Sequence, residues 1–426
     1  MYCVALAVKC LEVFINTVNL IIHIGPPKTG TSAIQKWLKD NIEFLRTHGI
    51  YYPQHTEDSN GISSGNFLSV FDPLKGDYKL NLQRIEALKN KTAENNCHTL
   101  LLSSEFFFHR LLPLVNKLPN VSCIAYVRNP AELHESHYNQ SVKRHGNVAT
   151  IKRADSLPMN TLKVLGDYAS KLGERLILRA YHEDLFLNNS IVSDFLTVIN
   201  LPADEVANIN CTKRINTSYT LEALEVKRWF NRYELGNNSN PLDRILQSYS
   251  NGVTRFTFVG KHQFNDYKRQ SLKWLGQLYE QAPFANGDKL LKAVHDQEHQ
   301  NFYKQEISMA QCDSVLRYIA SENMALLTNL ALCVYAQPNI EDKAPFTNAL
   351  FKLVPPSAAV PNMLQYTRRA FVNSYSYKFV GCDDSNCKQD TSKFRVGVNR
   401  LLKKQFSLVA YLKVRFLLLS LKAQSS

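Results

Sequence analysis

Residues 20–38, LIIHIGPPKTGTSAIQKWL, join an apolar run to a Gly/Pro/Lys/Thr turn that opens straight into an amphipathic segment. The run reads as a buried strand that stops at Gly25, and the segment after the turn as a helix beginning near Ser32. A chain built this way turns through Pro26 to Thr31. It points the helix's unpaired backbone N–H groups and positive dipole end into the turn, which makes an anion site. Lys28 adds a full charge, and Thr29, Thr31 and Ser32 add hydroxyl donors. The alternative reading is a tight strand-to-helix turn that holds no ligand.

The order of residues argues against a nucleoside triphosphate. In the G-x-x-x-x-G-K-[ST] loop the Lys follows the last Gly, whereas here Lys28 precedes Gly30. No later apolar strand ends in the Asp that would hold a magnesium ion. The dinucleotide fingerprint G-x-G-x-x-G is absent, because Gly25 and Gly30 are the only glycines in the turn.

A second motif lies about a hundred residues on, in Val121 to Lys143, VSCIAYVRNPAELHESHYNQSVK. It reads as a strand over Cys123 to Val127, then Arg128-Asn129-Pro130, then a helix carrying Ser136 eight residues after the Arg. Pro130 fits the first helical turn, where no N–H is lost. Ser136 then stands two turns further, about 9 Å of rise at roughly 1.5 Å per residue. An Arg fork and a helix hydroxyl so spaced can meet one phosphate, and the plainer reading is a strand exit with a solvated Arg. Between the two motifs, Thr99 to Ser103 reads as a third strand, followed by Ser104-Glu105-Phe106-Phe107-Phe108-His109. A carboxylate just past a buried parallel strand sits where open α/β sheets bind ligands.

The Pro27–Ser32 string, P-K-T-G-T-S, resembles the 5′-phosphosulfate loop of the sulfotransferases that use 3′-phosphoadenosine 5′-phosphosulfate. Arg128 and Ser136 resemble that family's clamp on the 3′-phosphate. The resemblance implies that Pro27, Lys28, Thr29, Gly30, Thr31 and Ser32 hold the phosphosulfate end of the donor and that Arg128 and Ser136 hold the other. Glu105 is similar in position to the Glu proposed as general base in the glycan-acting members, where the cytosolic small-molecule enzymes carry His. His109 is the alternative base, and a surface carboxylate paired with Arg110 or Arg128 is the plainer reading of Glu105. The heparan-type pattern has Lys immediately before the Glu, and this chain has Ser104 there.

The resemblance further implies an α/β, P-loop-like three-layer fold, with a central parallel sheet flanked by helices and a helical and loop-rich C-terminal extension. The expected reaction is in-line transfer of a sulfonate to a hydroxyl, without a metal. Lys28 and the helix N-terminus would stabilise charge on the bridging oxygen, and Glu105 would take the hydroxyl proton. Glu105 points to a carbohydrate or polysaccharide acceptor. A small-molecule sulfotransferase and a non-catalytic nucleotide- or glycan-binding protein on the same fold stay open as alternatives.

Whole-chain properties agree with an anionic donor. The 426 residues are 45% hydrophobic, enough for a real core, and carry a formal net charge of +13. Nucleic acid is excluded as the partner, because the basic residues are spread along the chain without zinc-finger spacing, an RNP-like aromatic motif or a long basic arm. Nine cysteines, scattered singly apart from Cys382 and Cys387, suit a reducing compartment such as the cytoplasm.

The expected organisation is an N-terminal extension over 1–17, a sulfotransferase domain over 18–335, a loop-rich linker over 336–394 and a basic amphipathic segment over 395–426. Residues 1–17 read either as a translated extension ahead of the true start or as an extra helix packed on the domain, and not as a signal peptide or spanning helix. The 395–426 segment has seven Lys or Arg and no Asp or Glu. It suits peripheral contact with an anionic membrane surface, and equally a cap on the domain or a partner-binding helix. Other expectations are a polar loop over 54–66 contacting the acceptor, a strand over Leu176 to Tyr181 and a helix over 191–199. Arg214 reads as a loop residue, Ser218 or Thr220 as the cap of a helix over 221–232, and 271–335 as helical with breaks at Pro283 and Gly287.

Overall fold

The structure, a computed structural model, describes residues 18–55, 65–208, 219–335 and 344–355. Its strands are β1 (Asn19–His23), β2 (Ile50–Tyr51), β3 (Phe71–Leu74), β4 (Asp77–Leu80), β5 (Thr99–Ser103), β6 (Val121–Arg128) and β7 (Leu176–Tyr181). Five form a parallel sheet in the order β2-β5-β1-β6-β7, while β3 and β4 pair as a separate antiparallel hairpin. The first strand is therefore central, and its near-continuous apolar sequence follows from burial on both faces.

The chain divides into two compact units. Among the described residues the first holds 18–137, 152–208 and 259–302, and the second holds 138–151, 219–258, 303–335 and 344–355. The division falls inside the 18–335 span.

In the first unit the period of two along each strand splits the core between two faces of the sheet. Leu20, Ile22, Ile24, Leu100, Leu102, Ala125 and Val127 pack with Leu165, Leu275 and Leu290 from flanking helices. On the opposite face Leu101, Ile124 and Tyr126 pack with Ile34 and Leu38 of Thr31–Asp40 and Phe195 of Ile191–Val198. The protein is thus α/β, with a five-stranded parallel sheet flanked by helices. Each fully buried Leu, Ile, Val or Phe contributes about 1.5–3 kcal/mol of transfer free energy.

The second unit is helical and has its own core. Every residue of helix Leu221–Phe230 is buried, its charges included. Arg228 pairs with Glu225 and donates to the carbonyls of Val148 and Gln305, both at 3.1 Å. Thr220 caps the helix by accepting from Ala223 N–H at 3.3 Å. Within the region expected to be loop-rich, Ala344–Leu353 is a helix whose Phe346, Ala349 and Leu350 are buried.

The helical reading of 271–335 needs correction. Helices Lys261–Gln281, Gly287–Asp296 and Met309–Tyr335 are separated at the expected breaks, but also by 297–308. There the backbone bonds elsewhere: Tyr303 N–H donates to Thr257 O at 3.0 Å, and Gln305 O accepts from Arg228. Those partners replace an i to i−4 ladder.

Among the described residues no helix is long and apolar enough to cross a membrane. Residues 1–17, Arg214, Ser218, Cys382, Cys387 and 395–426 lie outside the described residues.

Candidate functional site

Three neighbouring strands deliver the expected site residues to one edge of the sheet. His23 at the end of β1 is level with Ser103 at the end of β5 on one side and Ile124 of β6 on the other. All three strands are parallel, so the 24–30 loop, Glu105 and Arg128 leave from the same carboxyl edge, where such sheets bind ligands. β6 runs on to Arg128, four residues past that level, or roughly 13 Å at ~3.3 Å per residue. That extra length lets its side chain fold back over the loop, and the Arg128 guanidinium donates to the Lys28 carbonyl at 2.7 Å.

The loop is held in an unusual backbone conformation. Lys28 has φ 65°, in the left-handed region that costs a non-glycine residue about 1–3 kcal/mol. Thr29, buried, donates its hydroxyl to Pro26 O at 2.6 Å. Gly30 takes φ 76° next to Ile191 of the neighbouring helix, and a Cβ there would collide with the Ile191 Cδ1. Helix Thr31–Asp40 then starts with no side-chain cap and no acidic residue in its first turn, while Ala33 and Ile34 N–H bond to Gly30 O at 3.0 and 3.2 Å. The Thr31 hydroxyl is buried without a hydrogen-bond partner among the described residues. Pro27, Lys28, Gly30 and Ser32 are partly exposed. Uncapped N–H groups, an unbonded buried hydroxyl and a nearby ammonium together suit an anion.

Glu105 follows β5 on a single 3-10 turn, whose N-cap Ser104 accepts from Phe106 N–H at 3.1 Å. Its side chain is exposed at the end of the strand. Loss of hydration raises the Glu105 pKa above the ordinary carboxylate value, and the Lys28 ammonium pulls it back. His109 is exposed four residues later, its ring against Phe108 at 5.0 Å. Arg110 pairs with Asp77 at 2.8 Å and stacks over Tyr78. Glu105, one of the two expected bases, thus feels the Lys28 charge.

Arg128 has a second ring contact: its guanidinium lies 4.8 Å from the Tyr181 ring centroid, with Glu132 at 3.5 Å. Arg128 and Tyr181 are register partners on β6 and β7, which puts the ring there. Asn129 caps the helix Pro130–Arg144 by accepting from Ala131 N–H at 3.0 Å. Ser136 is partly exposed on the second turn of that helix. Beside it, partial burial lowers the His137 pKa, and the positive charges of Lys28, Arg128 and His134 lower it further. The charges of the loop and of the strand exit thus reach this part of the helix.

His23 beneath the loop adds no charge. It is fully buried, burial pushes its pKa down to about 3, and its Nδ1 meets Ser103 Oγ at 2.8 Å. Among the described residues no cluster of three or more His, Cys, Asp or Glu is arranged to hold a metal ion. Tyr181 and His137 carry no local sequence signal, since each owes its place to a neighbouring strand or to how a helix packs.

In comparisons with known proteins, no family model, curated sequence or solved structure matches this chain.

Proposed function

We propose that the protein is a sulfotransferase that moves a sulfonate from 3′-phosphoadenosine 5′-phosphosulfate to a hydroxyl on a carbohydrate. The observation that carries this reading is the arrival of the Lys28 loop, Glu105 and Arg128 at one carboxyl edge of the sheet, with Arg128 gripping the Lys28 carbonyl at 2.7 Å and the Lys28 charge acting on Glu105. The central position of β1 and the loop that follows it support a P-loop-like version of the α/β fold.

The residues present fit an anionic donor. The uncapped start of Thr31–Asp40, the unbonded Thr31 hydroxyl and Lys28 suit the phosphosulfate end, and Arg128 with Ser136 suits the second phosphate. The donor supplies an activated sulfonate, whose sulfur–oxygen bond to phosphate breaks as one to the acceptor oxygen forms. Lys28 and the helix N-terminus stabilise the charge left on the departing phosphate oxygen. Glu105 takes the acceptor's proton, a role worth roughly 10²–10⁴-fold in rate. Loss of hydration strengthens it as a base, and the Lys28 charge opposes that shift. Support for a carbohydrate comes from a Glu at this position and from Phe106, exposed beside it, which offers an aromatic face to a sugar.

Calorimetry with 3′-phosphoadenosine 5′-phosphate tests the reading. The wild type should bind, and Lys28→Ala and Arg128→Ala should each weaken binding about 10–100-fold, the value of one hydrogen bond to a charged group. A wild type that does not bind the bisphosphate overturns the proposal.

A further inference from the structure

Two buried side chains that the reaction scheme does not use, Gln35 and Asn66, converge on the residue two before Glu105. β2 pairs with β5 only at Thr99 and Leu100, so beyond that point one side of β5 has lost its strand partner. Asn66 takes its place: Ser103 N–H donates to Asn66 Oδ1 at 2.7 Å, and Asn66 N–H donates to Ser103 O at 3.2 Å. Gln35 Nε2 donates to the same carbonyl at 3.1 Å. On the other side Ser104 N–H donates to His23 O at 3.1 Å. Gln35, Asn66, Ser103 and Ser104 are all fully buried. Gly65 completes the fit, because with φ 71° it brings the chain so close that a Cβ would collide with Ser103 O.

We infer that Gln35 and Asn66 are positioning residues that lock the end of β5 and so set Glu105 at a fixed distance from Lys28. Gln35 belongs to the helix that begins at the 25–31 loop, so one hydrogen bond ties that helix to the strand that presents the carboxylate. Asn66 ties the same point to the exit of β2, its Nδ2 donating to Pro53 O at 3.4 Å. A buried network that satisfies donors and acceptors from three segments rigidifies what it surrounds. The inference rests on the proposed role of Glu105.

The test uses the full chain with Gln35→Met, which keeps the length of the side chain, and Asn66→Ala. Three quantities are read: sulfate release from 3′-phosphoadenosine 5′-phosphosulfate with water as acceptor, affinity for 3′-phosphoadenosine 5′-phosphate, and the Glu105 titration by carboxyl ¹³C NMR. Sulfate release should fall on the order of a hundredfold, the cost of a misplacement of about 1 Å. Bisphosphate affinity should stay within about twofold, since the charged residues of the loop are intact. The Glu105 pKa should drop toward the ordinary glutamate value as the carboxylate relaxes into water, whereas Lys28→Ala should raise it. An unmoved Glu105 titration in both variants overturns the inference whether or not the protein is active. A wild type that fails to bind the bisphosphate while the titration moves overturns the proposed function alone.

Discussion

The Arg128 guanidinium holds the main-chain carbonyl of Lys28 at 2.7 Å across a sequence separation of 100 residues. The residue proposed to grip one end of the donor thus also holds the loop proposed to grip the other. Lys28 stands in the left-handed region, and a charge-assisted hydrogen bond to its carbonyl is a direct means of keeping it there. Under the proposed function, donor affinity and loop geometry are coupled through one side chain.

Arg128→Lys separates charge from fork geometry. A lysine ammonium cannot bond the Lys28 carbonyl, stack on Tyr181 and reach a phosphate together. Bisphosphate affinity by calorimetry should fall nearly as far as in Arg128→Ala. Chemical denaturation should show a loss of about 1–2 kcal/mol in both variants. Retention of wild-type affinity in Arg128→Lys would mean that only charge matters at this position.

Lys28→Gly should trade function for stability. Glycine adopts φ 65° freely, so the substitution relieves on the order of 1 kcal/mol of backbone strain. It also removes the ammonium. The expected result is a higher melting temperature together with bisphosphate binding weakened about 10–100-fold. A lower melting temperature would show that the Lys28 side chain stabilises the loop by more than its backbone strains it.

Glu105→Gln carries a pH signature. Because the folded-state pKa of Glu105 is raised, chiefly by loss of hydration, its contribution to stability is fully present below the ordinary value of 4.5 and is lost as pH rises through the folded-state value. Ionised Glu105 therefore costs stability at pH 7. Glu105→Gln should be the more stable protein at pH 7, with an advantage that disappears below pH 4.5. Its sulfate transfer should fall roughly 10²–10⁴-fold while bisphosphate binding persists. Equal stability at both pH values would place Glu105 in open water.

What the sequence discloses and what it hides follow a physical line. β5 and β7 lie where their apolar runs are bounded by turn residues, and Glu105 and Arg128 are readable as strand exits because an exit is a local event. Gln35 and Asn66 are not readable in the same way. Asn66 meets Ser103 across 37 residues and Gln35 meets it across 68, so their roles exist only once β2 is seen to stop short. The non-helical 297–308 segment has the same origin, since its backbone partners come from distant chain. The αL turn at Lys28 escapes sequence reading as well, because non-glycine residues seldom adopt it and the Arg128 contact that holds it is tertiary.

The second unit offers a prediction independent of the site. Lys227 is buried on Leu221–Phe230, where it donates to Asn231 Oδ1 at 2.6 Å, and burial pushes its pKa down from 10.5 to about 8. Asp243 opposes that shift, but it is already bonded by Arg144 at 2.8 Å, by Gln247 at 2.9 Å and by Tyr219. A depressed folded-state pKa means that this lysine's contribution is fully present above the unfolded value of 10.5 and is lost as pH falls through about 8. At pH 7 the charged Lys227 therefore costs stability, on the order of 3 kcal/mol at 1.36 kcal/mol per pH unit. Lys227→Met, similar in length and apolar, should be more stable than wild type at pH 7 by up to that amount. The gain should shrink steadily between pH 8 and 10.5, as wild-type Lys227 sheds its proton in the folded state. Denaturant titrations of both proteins across that range measure it directly. A variant less stable at pH 7 would show that Asp243 depends on the Lys227 charge despite its three other partners.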